Sequence, residues 1–359
     1  MNLRRISRGA AAWFEERLGL NAVMELLKRK EVPQNKDTIW TYTGSLILLF
    51  FGIQVVTGIM LAFYYKPTLE LANKSIGRIM TEVPLGWIIR SVHFWSATFM
   101  IAIAFIHLLS IWIIKSYRKP RELTWMSGVF LLVFTLAFGF TGYLLPWDDL
   151  SLAATKVGTD IPRSIPLVGV WVTKFLRGGD DISGDTLSRF FSFHISILPL
   201  CLLAVLCFHI YLIQKQGMSL PLGAQERVDK KRALPFWPNF VFREAIVWLI
   251  FSGVLITMAV LLPPSLSKAA DLMAPAPEGI KPEWYFLFLF QTLKIFPPKI
   301  LFVNGDTVAV LVIFAGVILF FCLPLIDNKP EQRKGKFITF AAYLFILYAV
   351  AMSVWSLLS

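Results

Sequence analysis

The sequence predicts an all-α polytopic membrane protein, on three observations. Of 359 residues, 56% are hydrophobic and only 16% are charged, against about 25% charged in soluble domains. Mean hydropathy is +0.65. Apolar runs of about 20 residues, enough to cross roughly 30 Å of hydrocarbon as helix, recur along the chain. Helix is the form they must take, because lipid offers no partner for a free backbone N–H or C=O.

Taken in order, residues 1–38 interleave Arg, Glu and Lys with apolar side chains and lack the unbroken apolar run of a cleaved signal. They read as an amphipathic segment lying on membrane lipid. Seven spans follow, at about 40–64, 86–115, 124–145, 187–214, 243–262, 306–326 and 337–357. The stretch "IPRSIPLVGVWVTKFLRG" is too broken by Pro and charge to insert, and is expected as a hairpin of short surface helices. The longest polar break, a linker at 217–242, separates a four-helix unit at 39–216 from a three-helix unit at 243–359.

A net charge of +12 invites a nucleic-acid reading, but the basic residues sit in short segments between spans. Of 35 Lys and Arg, 22 fall on one side: the N-terminal segment, the loops at 115–123, 215–242 and 327–336, and the adjoining helix ends. That is the positive-inside pattern, so this basic side is cytoplasmic or its electrically negative equivalent, and no nucleic acid is implied. Cys201, Cys207 and Cys322 all fall in predicted spans and form no CxxC or CxxCH pattern. No disulfide framework, iron–sulfur cluster or covalent c-type haem is encoded.

The chemistry rests on four histidines, which are all the chain has. His93 and His107 lie fourteen apart in "RSVHFWSATFMIAIAFIH", and His194 and His209 fifteen apart in "FSFHISILPLCLLAVLCFHIYL". At about 100° per residue each pair shares a helix face, with members roughly 21–23 Å apart along the axis. The two helices run in the same direction, so His93 can oppose His194 near one surface and His107 oppose His209 near the other. Two opposed imidazoles at one depth suit bis-axial ligation of a haem iron. The unit at 39–216 is therefore read as a four-helix haem-binding bundle holding two haem b. Glycines share the period: Gly44 and Gly58 on the first span, Gly128 and Gly142 on the third, fourteen apart in each case. Glycine lets a flat macrocycle approach a helix backbone, although small residues also serve plain helix packing in membranes.

These residues resemble the cytochrome b family, the core subunit of bc-type quinol:cytochrome c and plastoquinol:plastocyanin oxidoreductases. "WFEERLGL", "FYYKPT", "TEVPLGWIIRSVH", "KPRELTW", "TGYLLPWD" and "KQG" are similar to the cytochrome b6 type. "PFWPN" and "KPEWYFLFLFQTLK" are similar to its separate subunit IV. Here both lie on one polypeptide, as in bacterial respiratory enzymes, which implies a multi-pass protein of the bacterial cytoplasmic membrane with a cytoplasmic N-terminus.

The resemblance implies a low-potential haem on His93 and His194 at the positive side. A high-potential haem on His107 and His209 follows at the negative side. It implies quinol oxidation beside "PEWY", with Glu283 accepting a proton and Tyr143 and Tyr285 lining the pocket. One electron would pass to a Rieske iron–sulfur protein and on to a c-type cytochrome; the other would cross the two haems to a negative-side quinone site. Proton translocation and a homodimeric complex belong to the same expectation. Apolar flanks raise the pKa of an acid such as Glu283 toward the range useful for proton transfer. Arg90, one turn from His93, is placed either to pair with a haem propionate or to snorkel; Lys115 and Arg118 are weaker propionate candidates. Glu244 is read as a proton-uptake candidate or a solvated helix-end acid. Where the b6 type carries a cysteine that anchors a third haem covalently, this chain has Tyr42, so that haem is not expected.

Two other readings remain at this stage. A dihaem anchor for a dehydrogenase or hydrogenase accounts for the histidines but not for "PEWY" or the three-helix unit. A transporter or channel would use the histidines to line a proton path.

Overall fold

The computed structural model describes residues 12–32, 38–217, 233–274, 279–327 and 334–359. A short helix at 12–18 (α1) and Leu20–Arg29 (α2) form the surface segment; α2 carries Lys28 and Arg29 in its last turn, where cations complement the helix dipole. The remainder of the predicted segment at 1–38, residues 1–11 and 33–37, lies outside the described residues.

Four long helices build the first unit. They are Thr41–Ala62 (α3), Gly86–Ile113 (α5), Glu122–Leu144 (α6) and a continuous helix from Gly184 to Gln216. The last comprises Gly184–Ser192 (α9), a π-turn at Phe193–Ile197 and Leu198–Gln216 (α10). α3 packs on α5, and α6 on α10. Ala72–Thr81 (α4) lies between α3 and α5 in the chain, and its C-terminal end shapes the entry to α5. Leu85 adopts φ 60°, and a Cβ on Gly86 would come within 2.1 Å of the Ile79 carbonyl oxygen, so only glycine fits there.

Among the described residues six helices are long and apolar enough to span a membrane. The seventh expected span, 306–326, is shorter: Gly305–Phe321 (α13) stops at Cys322 and gives way to the four-residue Leu323–Ile326 (α14). Pro324 has no N–H to continue the ladder and its ring crowds the preceding turn. The surface hairpin is present as Asp149–Asp160 (α7) and Gly169–Arg177 (α8), joined by a tight turn at Ile161–Ser164. Asp148 caps α7 by accepting from Ser151 N at 2.9 Å.

The second unit contains Val241–Leu261 (α11), Leu287–Lys294 (α12), α13, α14 and Lys334–Leu358 (α15). α11 packs on α5 and α3, and α12 on α15. Phe50, fully buried, anchors the seam with Phe99 of α5 and Phe251 of α11. Loop 262–270 is strapped across the first unit. Arg90 donates to the Pro264 and Ser265 carbonyls at 2.8 and 3.2 Å, and Trp95 Nε1 donates to Leu262 O at 2.7 Å. Asn73 Nδ2 donates to Ser267 O at 3.2 Å, and Ala270 N donates to Trp147 O at 3.0 Å.

At the basic end, Glu31–Val32 (β1) pairs antiparallel with Leu234–Pro235 (β2), tying the surface segment to the linker, of which 218–232 lie outside the described residues. A second two-residue pair, Lys299–Ile300 with Val303–Asn304, turns the chain into α13.

Candidate functional site

The four histidines meet in the pairs expected from their spacing. His93 of α5 and His194 of the π-turn face each other with ring centroids 6.5 Å apart and planes at 70°. His107 and His209 are near enough to interact electrostatically. The fifteen-residue spacing of the second pair has a local explanation. Leu198 N donates to Phe193 O, an i→i+5 bond, so the π-turn takes up one residue more than an α-turn. Pro199, at the second position of α10, supplies no N–H for a regular ladder there. The extra residue is absorbed in the turn, and His194 and His209 regain the phase of His93 and His107.

Each imidazole has one nitrogen already engaged. His93 Nδ1 is 2.9 Å from Thr57 Oγ1, His107 Nδ1 2.8 Å from Thr43 Oγ1, His194 Nδ1 2.9 Å from Thr141 Oγ1, and His209 Nδ1 2.8 Å from Ser127 Oγ. Every one of these hydroxyls donates its own proton to a backbone carbonyl one turn earlier. The acceptors are Ile53, Trp40, Ala137 and Thr124, at 2.6, 2.6, 2.8 and 3.0 Å. With its proton spent, the hydroxyl can only accept, so Nδ1 carries the hydrogen and Nε2 keeps its lone pair. Each of the four rings is thus oriented with Nδ1 engaged and Nε2 left over.

The neighbouring glycines make room for those rings. A Cβ on Gly44, Gly58, Gly128 or Gly142 would stand 3.5, 3.3, 3.4 or 2.8 Å from Cε1 of His107, His93, His209 or His194 respectively. The period noticed in the glycines is therefore met by imidazole edges. Sequence reasoning missed the hydroxyls, although a signal was available: each immediately precedes one of the four glycines, as Thr43, Thr57, Ser127 and Thr141.

The residues fit a haem on several counts. An iron midway between two rings needs centroids about 6 Å apart, taking roughly 2 Å per metal–imidazole bond and about 1 Å from nitrogen to ring centre; His93 and His194 meet that within half an ångström. No cluster of three or more His, Cys, Asp or Glu suited to a metal occurs among the described residues. Near the basic end of α5, Trp112 Nε1 and Ser116 Oγ are buried with no hydrogen-bond partner among the described residues.

At the opposite end a second cluster forms. Tyr285, 6% exposed, packs its hydroxyl against Gly139 of α6 and lies in the field of Glu283 and Tyr143. Desolvation pushes the Glu283 carboxyl above the ordinary range. Burial, then the Glu283 charge, hold the Tyr285 phenol up as well. The structure thus brings Glu283, Tyr143 and Tyr285 together. Arg90 sits at this end too, spent on the carbonyls of loop 262–270. Glu244, at the start of α11, lies near Ser45, and Tyr42 stacks on Phe240 with centroids 5.2 Å apart. Arg118 is claimed by Asp327 at 2.7 Å, while desolvation and Arg118 hold the Lys115 ammonium below its usual range.

Comparison with known proteins agrees with this geometry. Residues 27–217 match the family described as Cytochrome b/b6/petB, and residues 269–359 match Cytochrome b(C-terminal)/b6/petD. A "Cytochrome bc complex cytochrome b subunit" of Chlorobaculum thiosulfatiphilum is 44% identical over 325 residues, covering 90% of this chain and 75% of the relative. A "Cytochrome b6" of Desmonostoc sp. is 44% identical over 210 residues, 58% of this chain and 97% of the relative. A solved "Hyperthermophilic respiratory Complex III" superposes with a TM-score of 0.84 at 28% identity, covering 96% of this chain and 90% of the other. A haem-binding membrane bundle of the electron-transport class is what fold and site define. The chain belongs to the cytochrome b family.

Proposed function

We propose that the chain is the cytochrome b subunit of a bacterial respiratory bc-type complex that oxidises quinol and translocates protons. Its division into a four-helix unit at 39–216 and a three-helix unit at 243–359 is part of this reading, supported by separate family matches over residues 27–217 and 269–359. In this reading two non-covalent b haems would be held, one by His93 and His194, the other by His107 and His209. When bound they supply the electron relay between the two faces of the bilayer, and the protein supplies spacing, orientation and proton handling.

The observation that supports the reading is the set of four Nδ1–hydroxyl contacts, which leaves Nε2 of every histidine available to a ligand. At the positive side Glu283 accepts a proton from a quinol hydroxyl, its raised pKa bringing it nearer to that task. Tyr143 and Tyr285 orient the quinol head, and Arg90 holds the loop that closes this end. One electron leaves to a Rieske iron–sulfur partner and then a c-type cytochrome. The other reaches a quinone site at the negative side, where Glu244 with Ser45 is the proton donor. Tyr42 offers no thiol and is stacked on Phe240, so no third haem is attached covalently. The basic N-terminal side faces the cytoplasm, and the complex is a homodimer.

The dihaem-anchor reading leaves the Glu283 cluster and the three-helix unit without a use. A pyridine haemochrome assay on the purified chain should return two b haems, and a redox titration should resolve two steps. One haem, or none, would overturn the proposal.

A further inference from the structure

Gln54 carries the only amide side chain of α3, a helix otherwise apolar enough to span the membrane. An amide in apolar surroundings is costly unless it is hydrogen-bonded. Gln54 Nε2 donates to the His93 carbonyl oxygen at 2.5 Å and to Ser96 Oγ at 2.6 Å. A carbonyl can only accept, so the nitrogen of the amide, and not its oxygen, must face it. Ser96 is fully buried, and its hydroxyl donates to the same His93 carbonyl at 3.2 Å.

α3 therefore grips His93 at two points. Thr57 meets the ring at Nδ1, and Gln54, about one turn earlier, meets the main chain. Among the described residues no other histidine is held at its main chain by a side chain of a neighbouring helix. The His107 carbonyl takes its side-chain donor from its own helix, Ser110, at 2.7 Å. The sequence repeat marks the difference. Four residues before Gly44, Gly58, Gly128 and Gly142 stand Trp40, Gln54, Thr124 and Phe138. Thr124 Oγ1 donates to Gln216 Oε1, and the Phe138 ring packs edge-on against the His194 ring. Gln54 alone reaches a histidine's main chain.

A hydrogen bond between membrane helices can serve association alone, but any carbonyl along the α3–α5 seam would do for that. This amide is aimed at the residue whose ring α3 already holds. The same turn of α5 is tied on another side, since Arg90 and Trp95, which flank His93, donate to carbonyls of loop 262–270. A ring held at Nδ1 alone can pivot if its backbone follows that loop. A hold on ring and backbone together leaves Nε2 one place to be.

We infer that Gln54 is a positioning residue for His93, and for that histidine alone: its amide fixes the α5 turn while Thr57 fixes the ring, so Nε2 is presented independently of loop 262–270. The inference rests on the two-haem reading. A ligand atom needs to be held within about 0.5 Å by residues that are themselves locked, and Gln54, with two bonds from Nε2, is locked. Losing it should loosen one haem and not the other.

The test is haem transfer from the assembled complex to an apo-globin scavenger, read beside an optical redox titration. Gln54→Met nearly keeps the volume and removes both donated bonds. It should retain the haem of His93 and His194 about 10-fold more weakly, the low end of the cost of losing a partner behind a metal-bound histidine, and shift its midpoint. That haem is the one that Thr57→Val also loosens; the one that Thr43→Val loosens should keep its retention and midpoint. Ser96→Ala leaves the Gln54–His93 bond in place and should loosen neither. Should Gln54→Met fail to assemble, Gln54→Asn, polar but one methylene too short, should loosen the same single haem. Equal loosening of both haems or of neither, or a Ser96→Ala effect as large as that of Gln54→Met, overturns the inference. A wild-type complex with fewer than two b haems per chain instead overturns the reading on which it rests.

Discussion

Thr141 Oγ1 lies 2.9 Å from His194 Nδ1 while donating to Ala137 O at 2.8 Å. The hydroxyl is thus a fixed acceptor that selects the imidazole tautomer. Replacing it with the isosteric Val keeps the helix face filled but frees the ring. We expect Thr141→Val to weaken haem retention at this layer about 10–100-fold, the usual cost of losing a partner behind a metal-bound histidine. The haem-to-protein ratio after dilution or competition with apo-protein reads the loss. The remaining bound haem should also show a raised midpoint, since an imidazole without its acceptor is a poorer electron donor.

The four site glycines are not equally constrained. A Cβ at Gly142 would stand 2.8 Å from His194 Cε1, whereas at Gly44 it would stand 3.5 Å from His107 Cε1. The first is a clash against a ring already pinned by Thr141, and the second is ordinary contact. Gly142→Ala should therefore lose one b haem from the absorbance spectrum while Gly44→Ala keeps two. Equal retention in both variants would contradict the contact account.

Desolvation raises the Glu283 carboxyl above the ordinary range. To accept a proton it must be ionised, so turnover should fall as pH drops through the raised pKa, above the usual value of about 4.3. Glu283→Gln removes the acceptor. It should slow quinol oxidation by about 10²–10⁴-fold, the typical worth of a positioned acid–base group, and erase that acid limb, with both haem spectra intact. Steady-state rates from pH 5 upward would decide it.

Phe50 is fully buried where α3, α5 and α11 meet. Phe50→Ala should destabilise the fold by about 3–5 kcal/mol, read as a lower unfolding midpoint in detergent. Thr43 and Thr57, the α3 residues that meet the histidines, lie elsewhere on that helix, so two-haem spectra should survive at low temperature.

Most of the fold was legible because lipid permits few structures, and spans such as Thr41–Ala62 declare themselves by length and apolarity. The span expected at 306–326 is shorter, Gly305–Phe321, because Pro324 ends its ladder. The histidine pairs were legible by period alone, but the π-turn that reconciles fifteen residues with fourteen was not. Its trace in the sequence is Pro199, and a proline announces a disturbed turn without saying which kind. The hydroxyls behind the histidines escaped because Ser and Thr are ordinary residues in membrane helices; only their place before each glycine marks them. Asp327 was invisible as a partner of Arg118, since nothing local in sequence connects the turn after α5 with the end of α14.

The ribbon of Glu31–Val32 with Leu234–Pro235 bears on the order in which the molecule is made. Its two strands emerge from the ribosome at opposite ends of the first unit, with all four long helices between them. The surface segment is born first but cannot settle until the last of those helices has been inserted and the linker has followed. Closing the ribbon is therefore a late event in biogenesis.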